Sequence, residues 1–143
     1  MKKIFLILTI FILTQTCAYS DSLIFTNYLS RDYVGLEYQD AITRNKPFLL
    51  VFVSSKDIKS ILKSLKIGQY IYKHYNSYFN FSILNTENSE NAQLAKSYNA
   101  KEFPALFLVD PEKNSYIRIP KKYQTHNNLK RILDNYLETK NNS

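Results

Sequence analysis

Phe48-Leu49-Leu50-Val51-Phe52-Val53, preceded by Lys46-Pro47 and followed by Ser54-Ser55, is the stretch on which the fold turns. Six consecutive apolar residues, rich in β-branched and aromatic types, cannot show one face to water. Such a run fits a strand covered on both sides, as in a central sheet with parallel neighbours. Upstream, Gly35 closes a segment of mixed signals in which Leu23-Ile24-Phe25 has the composition of a short strand. From Leu36 to Asn45, the spacing of Leu36, Ala41 and Ile42 predicts a short amphipathic helix, ended at Lys46-Pro47 because the residue before proline is pushed out of the helical region.

Downstream, Ser54 and Ser55 offer helix-start chemistry, and Ile58, Ile61, Leu62 and Leu65 recur at helical spacing. Gly68 predicts a break, after which a second piece carries Ile71, Tyr72, Tyr75 and Tyr78. Alternation of Phe79, Phe81 and Ile83 with polar residues predicts a strand over 79–84. A polar connection over 85–91 leads to a short helix outlined by Ala92, Leu94, Ala95 and Tyr98. Ala105–Val109, the turn-forming Asp110-Pro111-Glu112-Lys113-Asn114, and Tyr116, Ile117 and Ile119 read as a β-hairpin. Leu129, Ile132, Leu133, Tyr136 and Leu137 mark a last helix over about 126–139. The expected class is therefore α/β, three-layered, with a mixed sheet: a right-handed strand–helix–strand crossover, then an antiparallel hairpin added to the same sheet.

The first twenty residues obey different rules. Lys2 and Lys3 precede an apolar run from Ile4 to Leu13, and small and polar residues follow, ending in Ala18-Tyr19-Ser20 before Asp21. This is the grammar of a secretory leader, with 1–20 removed and 21–143 left as one domain. The run is short for a bilayer span. An anchor that stays attached and a lipidated Cys17 are the alternatives, although Thr14-Gln15-Thr16 matches a lipidation site poorly. The expected location is the periplasm or the outside of the cell.

Cys17 is the sole cysteine of the 143 residues. Cleavage removes it and lipidation consumes it, so under either route the domain has no thiolate nucleophile and no internal disulfide. Net charge is +7, falling to +5 without Lys2 and Lys3, and the basic residues are scattered. That argues for a solvated surface and against nucleic acid, and leaves room for weak attraction to an anionic membrane or cell wall.

Three segments resemble the thioredoxin superfamily, in particular its exported thioredoxin-like branch. Leu36–Val53 looks like its lead helix and central strand. Asn88–Tyr98 with Ala100-Lys101-Glu102-Phe103-Pro104 looks like the approach to its cis-proline. Ala105–Asn114 looks like the strand and turn that follow. The resemblance implies a Cys-x-x-Cys pair just after the central strand, where the helix N-terminus would lower the first thiol's pKa. Asp57-Ile58-Lys59-Ser60 stands there instead, and neither Asp57 nor Ser60 can exchange disulfides. It also implies a peptide groove at Phe103-Pro104, where the backbone before the proline pairs with an extended segment. A purely structural proline is the plainer alternative.

Other chemistry is thinly signalled. His74 and His126 are far apart in the chain with no cysteine or acidic cluster beside them, so no metal and no cofactor is expected. Ser54 and Ser55 lack a nucleophile elbow, and helix capping explains them better. Asp57 suits a first-turn carboxylate. Among Tyr70, Tyr72, Tyr75 and Tyr78, half should pack on the sheet and half form a rim. The expected function is redox-inactive binding of a protein or peptide in the cell envelope. Two alternatives stand beside it: a non-thiol enzyme working through Asp57, Lys59 or Ser60, and a structural envelope subunit. Oligomeric state is left open.

Overall fold

A computed structural model describes residues 32–143. The leader, its cleavage point, Cys17 and the Leu23-Ile24-Phe25 segment lie outside the described residues. Elements follow in the order β1 (Tyr33–Gly35), α1 (Tyr38–Thr43), β2 (Phe48–Val53), α2 (Ile58–Tyr75), β3 (Asn80–Asn85), α3 (Ser89–Ser97), β4 (Ala105–Asp110), β5 (Ser115–Ile119) and α4 (His126–Asn141), with a single 3-10 turn, Lys121–Tyr123, before α4. None of the described helices is long and apolar enough to cross a membrane.

One five-stranded sheet in the order β1-β3-β2-β4-β5 organises the chain. β2 runs parallel to β3 and antiparallel to β4, while β1 and β5 close the two edges antiparallel to their neighbours. This mixed sheet between helices is the thioredoxin-like α/β arrangement expected from the sequence. All six residues of β2 are buried, as a strand with helices on both faces requires. Phe48, Leu50 and Phe52 join Leu84, Phe107 and Val109 in a cluster closed by Ala41 of α1, Ala95 of α3 and Tyr98. The alternate residues Leu49 and Val51 point to the opposite face. That face is covered by Ile61, Ile67 and Ile71 of α2 and by Leu129 and Leu133 of α4, all buried.

Four local expectations need correction. The first helix is six residues rather than ten, and it ends at Thr43, well before the proline; after the Arg44 C-cap, Asn45 takes a left-handed φ of 52°. Asparagine tolerates that conformation because its short polar side chain can bond locally. Asn99 and Asn114 do the same after α3 and in the β4–β5 turn. Second, α2 does not break at Gly68: it runs unbroken for 18 residues. Gly68 is there for space, since a Cβ would lie 3.0 Å from the Phe81 ring. The chain has only two glycines, and the other, Gly35, faces the same ring edge, with φ +85° and a Cβ position 2.6 Å from the Phe81 carbonyl oxygen. Third, α2 is capped by Asp57, not by Ser54 or Ser55, so Asp57 precedes the first turn rather than sitting in it. Fourth, a short edge strand, β1, precedes α1 where only a closing glycine was expected.

Candidate functional site

Parallel β2 and β3 point the same way as β5, and β4 points back, so one end of the sheet gathers four connections: 54–57, 86–88, 100–104 and 120–124. Phe52 pairs with Ala105, which sets Pro104 one step beyond the last ladder pair, beside the end of β2. Topology therefore brings together Asp57-Ile58-Lys59-Ser60 and Phe103-Pro104, although they are more than forty positions apart in the chain.

Backbone and side-chain bonds fix this end. The Thr86 N–H donates to the Val53 carbonyl at 2.8 Å, and the Ser54 hydroxyl donates to Glu87 Oε1 at 2.9 Å. Lys56 lies 3.8 Å from Glu87, and Lys121 lies 3.8 Å from Glu102. These exposed pairs contribute little energy, yet they tie the 54–57 connection to 86–88 and the 100–104 connection to 120–124.

Asp57 is held by Ser60. Its Oδ1 accepts from the Ser60 backbone N–H at 3.2 Å, and its Oδ2 accepts from the Ser60 hydroxyl in a short bond. The hydroxyl bond first, then the backbone bond, hold the Asp57 carboxyl below the usual carboxylate range, and the Lys121 charge adds to this in a small way. The helix N-terminus that would favour a thiolate here favours a carboxylate instead. Ser60 is only 4% exposed, and its carbonyl accepts from the buried Ser64 hydroxyl at 2.7 Å. Ser60 thus faces inward as part of the cap, while Asp57, Ile58 and Lys59 face solvent.

Ile58 is 51% exposed and Leu62, one turn further, 44%. The Phe103-Pro104 peptide bond is cis. Phe103 is half-buried against the α1/α3-side cluster, and Pro104 is buried. This end of the sheet therefore presents an exposed apolar pair on α2 and, on the α1/α3 side, a half-buried aromatic, with the ion pairs Lys56–Glu87 and Lys121–Glu102 in its connections. The pairing of these four charges was not foreseeable in the sequence, because isolated charges in polar connections carry no local signal; only the register of the sheet assembles them.

The remaining candidates lie elsewhere. Tyr70 stacks on His126 at 4.5 Å and meets His74 at 4.8 Å, so two histidines 52 positions apart share one tyrosine. No group of three or more His, Cys, Asp or Glu side chains suited to a metal occurs among the described residues. The tyrosines divide: Tyr75 is buried and Tyr70 half-buried, whereas Tyr72 and Tyr78 are exposed.

No family model and no curated protein matches the chain. Among solved structures it is similar to tryparedoxin I from Leishmania major (13% identity, TM-score 0.44, covering 59% of this chain and 73% of that one). It is also similar to a tryparedoxin from Trypanosoma brucei (13% identity, TM-score 0.45, covering 65% and 83%).

Proposed function

We propose that this is a redox-inactive, exported thioredoxin-like protein that binds an extended segment of a protein partner at the Asp57/Pro104 end of the sheet. One observation carries the reading: two large apolar side chains, Ile58 and Leu62, stand exposed on the first two turns of α2, where the superfamily carries its catalytic pair. Contiguous apolar patches rimmed by polar residues mark interaction sites, and Ile58 and Leu62, one turn apart on α2, are the centre of the patch this reading requires. The absence of any cysteine beyond Cys17 removes thiol chemistry from the domain and leaves recognition. Asp57 and Ser60 satisfy each other, so the pair serves the helix cap, which speaks against the enzyme alternative.

A photo-crosslinker at residue 58, in the full chain expressed in its native host, tests the site against the same group at exposed Tyr72. Discrete protein partners captured at 58, absent at 72 and lost on Leu62→Glu, are the expected result. Equal capture at both positions, or none at 58, overturns the site. Disulfide reduction of insulin should stay at background. The N-terminal residue of protein recovered from the envelope should be Asp21; an intact Met1 there would overturn the cleaved leader.

A further inference from the structure

Among the described residues β5 is an edge strand bonded only to β4, and four of its five residues are exposed. Tyr116 is 50% exposed and Ile117 61% exposed, on opposite faces of the sheet. Edge strands in soluble proteins are usually blunted by charge, proline or shortness; within β5 only Arg118 is charged.

Each face of this edge opens on a groove. Tyr116 meets Tyr98 at 4.5 Å and lines a groove of about 360 Å³ with Tyr38, Tyr98 and Asn114. Ile117 lines another of about 440 Å³ with Leu108, Ile132 and Tyr136 of α4. A strand laid beside β5 sends successive side chains alternately to the two faces, and so into the two grooves in turn. The backbone groups on the outer side of β5 supply the affinity, and the grooves supply the selection.

Charge selects the occupant. Lys113 and Arg118 are exposed at the two ends of this edge, and neither has an ion-pair partner among the described residues. The local carboxylates are already engaged: Glu112 binds Lys140 at 2.9 Å, and buried Asp110 accepts from the Tyr136 hydroxyl and the Lys113 N–H. A net charge of +7 works against a second copy as the occupant. We propose that β5 takes up, by strand addition, an extended acidic segment of another polypeptide, with apolar residues at alternate positions. This surface involves different elements from the Asp57/Pro104 end and stands or falls apart from it.

The test uses the full chain labelled with nitrogen-15 and a synthetic peptide of about nine residues, alternating glutamate and valine, long enough to cover a strand. Its lysine–valine counterpart is run beside it. The acidic peptide should shift the amides of residues 115–119 and slow their exchange by about tenfold or more. Affinity should fall with added salt, and by about tenfold or more in a Lys113→Glu/Arg118→Glu variant whose circular dichroism is unchanged. Equal binding of the lysine peptide, shifts confined to residues 57–62 and 103–104, no shift at all, or edge protection that rises with protein concentration without peptide would each overturn the proposal.

Discussion

At the scale of single residues, two kinds of position matter: those where an atom is missing and those where a charge is anchored. Both glycines open space for one edge of Phe81, so the ring is confined from two directions. Replacing Gly68 with alanine gains helix propensity of about 1 kcal/mol, but overpacking a well-filled contact costs about 1–3 kcal/mol. Because Gly35 blocks the ring's retreat, overpacking should win. Chemical denaturation should show Gly68→Ala destabilised by about 1 kcal/mol, and Phe81→Leu should turn the same substitution neutral or stabilising. Asp57 is anchored by charge: its carboxyl titrates below its ordinary value in the folded state, so its stabilising effect is full above pH 4 or so and fades as pH falls through the lowered folded value. Asp57→Ala should therefore lower Tm more at pH 7 than near pH 2, where the charge-dependent part of the effect is lost. Asp57→Asn, which keeps a cap but carries no charge, should recover only part of the loss at pH 7. An Asp57→Ala deficit of the same size at both pH values would show that the carboxylate's charge plays no part.

Elements are joined by a few polar contacts whose value depends on burial. The Tyr136 hydroxyl of α4 donates to Asp110, which is 3% exposed at the end of β4. The Tyr75 hydroxyl of α2 donates at 2.7 Å to Asp134 of α4, whose carboxylate is also bound by Lys130 at 2.6 Å. Burial first and the carboxylate bond second push both tyrosine hydroxyls above their ordinary range, so they are donors at any physiological pH. Removing a donor from a buried carboxylate costs about 1–3 kcal/mol, whereas the loss of one bond to a partly solvated group costs about 0.5–1.5 kcal/mol. Thermal unfolding should accordingly show Tyr136→Phe destabilised more than Tyr75→Phe. The reverse order would mean that Asp110 finds water when Tyr136 leaves. The same logic explains the caps: Asn88 accepts from the Glu90 and Asn91 N–H groups and Thr125 from Asn128, and either one changed to alanine should cost about 1 kcal/mol.

For the whole molecule, the central sheet must supply cohesion without covalent help, since the only thiol in the chain is Cys17. Phe52 is fully buried in β2, with its ring 5.7 Å from Tyr98 and 6.0 Å from Phe107. Truncation of such a ring to alanine costs about 3–5 kcal/mol, a large share of the about 5–15 kcal/mol by which a small domain is stable. Phe52→Ala should leave a substantial unfolded population at 37 °C, visible as lost near-ultraviolet dichroism. Tm of the parent protein should be indifferent to reductant, and a drop on adding dithiothreitol would contradict a fold held by its core alone.

Sequence by itself determined the elements whose signals are local. The run 48–53 declares a strand covered on both faces because nothing in it can meet water, and Leu129, Ile132, Leu133 and Tyr136 declare a one-sided helix by their spacing. The cysteine count alone settles that no thiol pair can follow β2. Tertiary structure decided what depends on neighbours distant in the chain. Gly68 reads as a breaker until Phe81 is seen against it. Ser54 reads as a cap until Glu87 takes its hydroxyl and Asp57 takes the helix. The convergence of Asp57 with Phe103 and Lys121, like the exposed flank of β5, follows from strand order and register. Periodicity records whether a side chain meets solvent or core; it does not record which other chain segment fills the space beside it, and packing alone makes that choice.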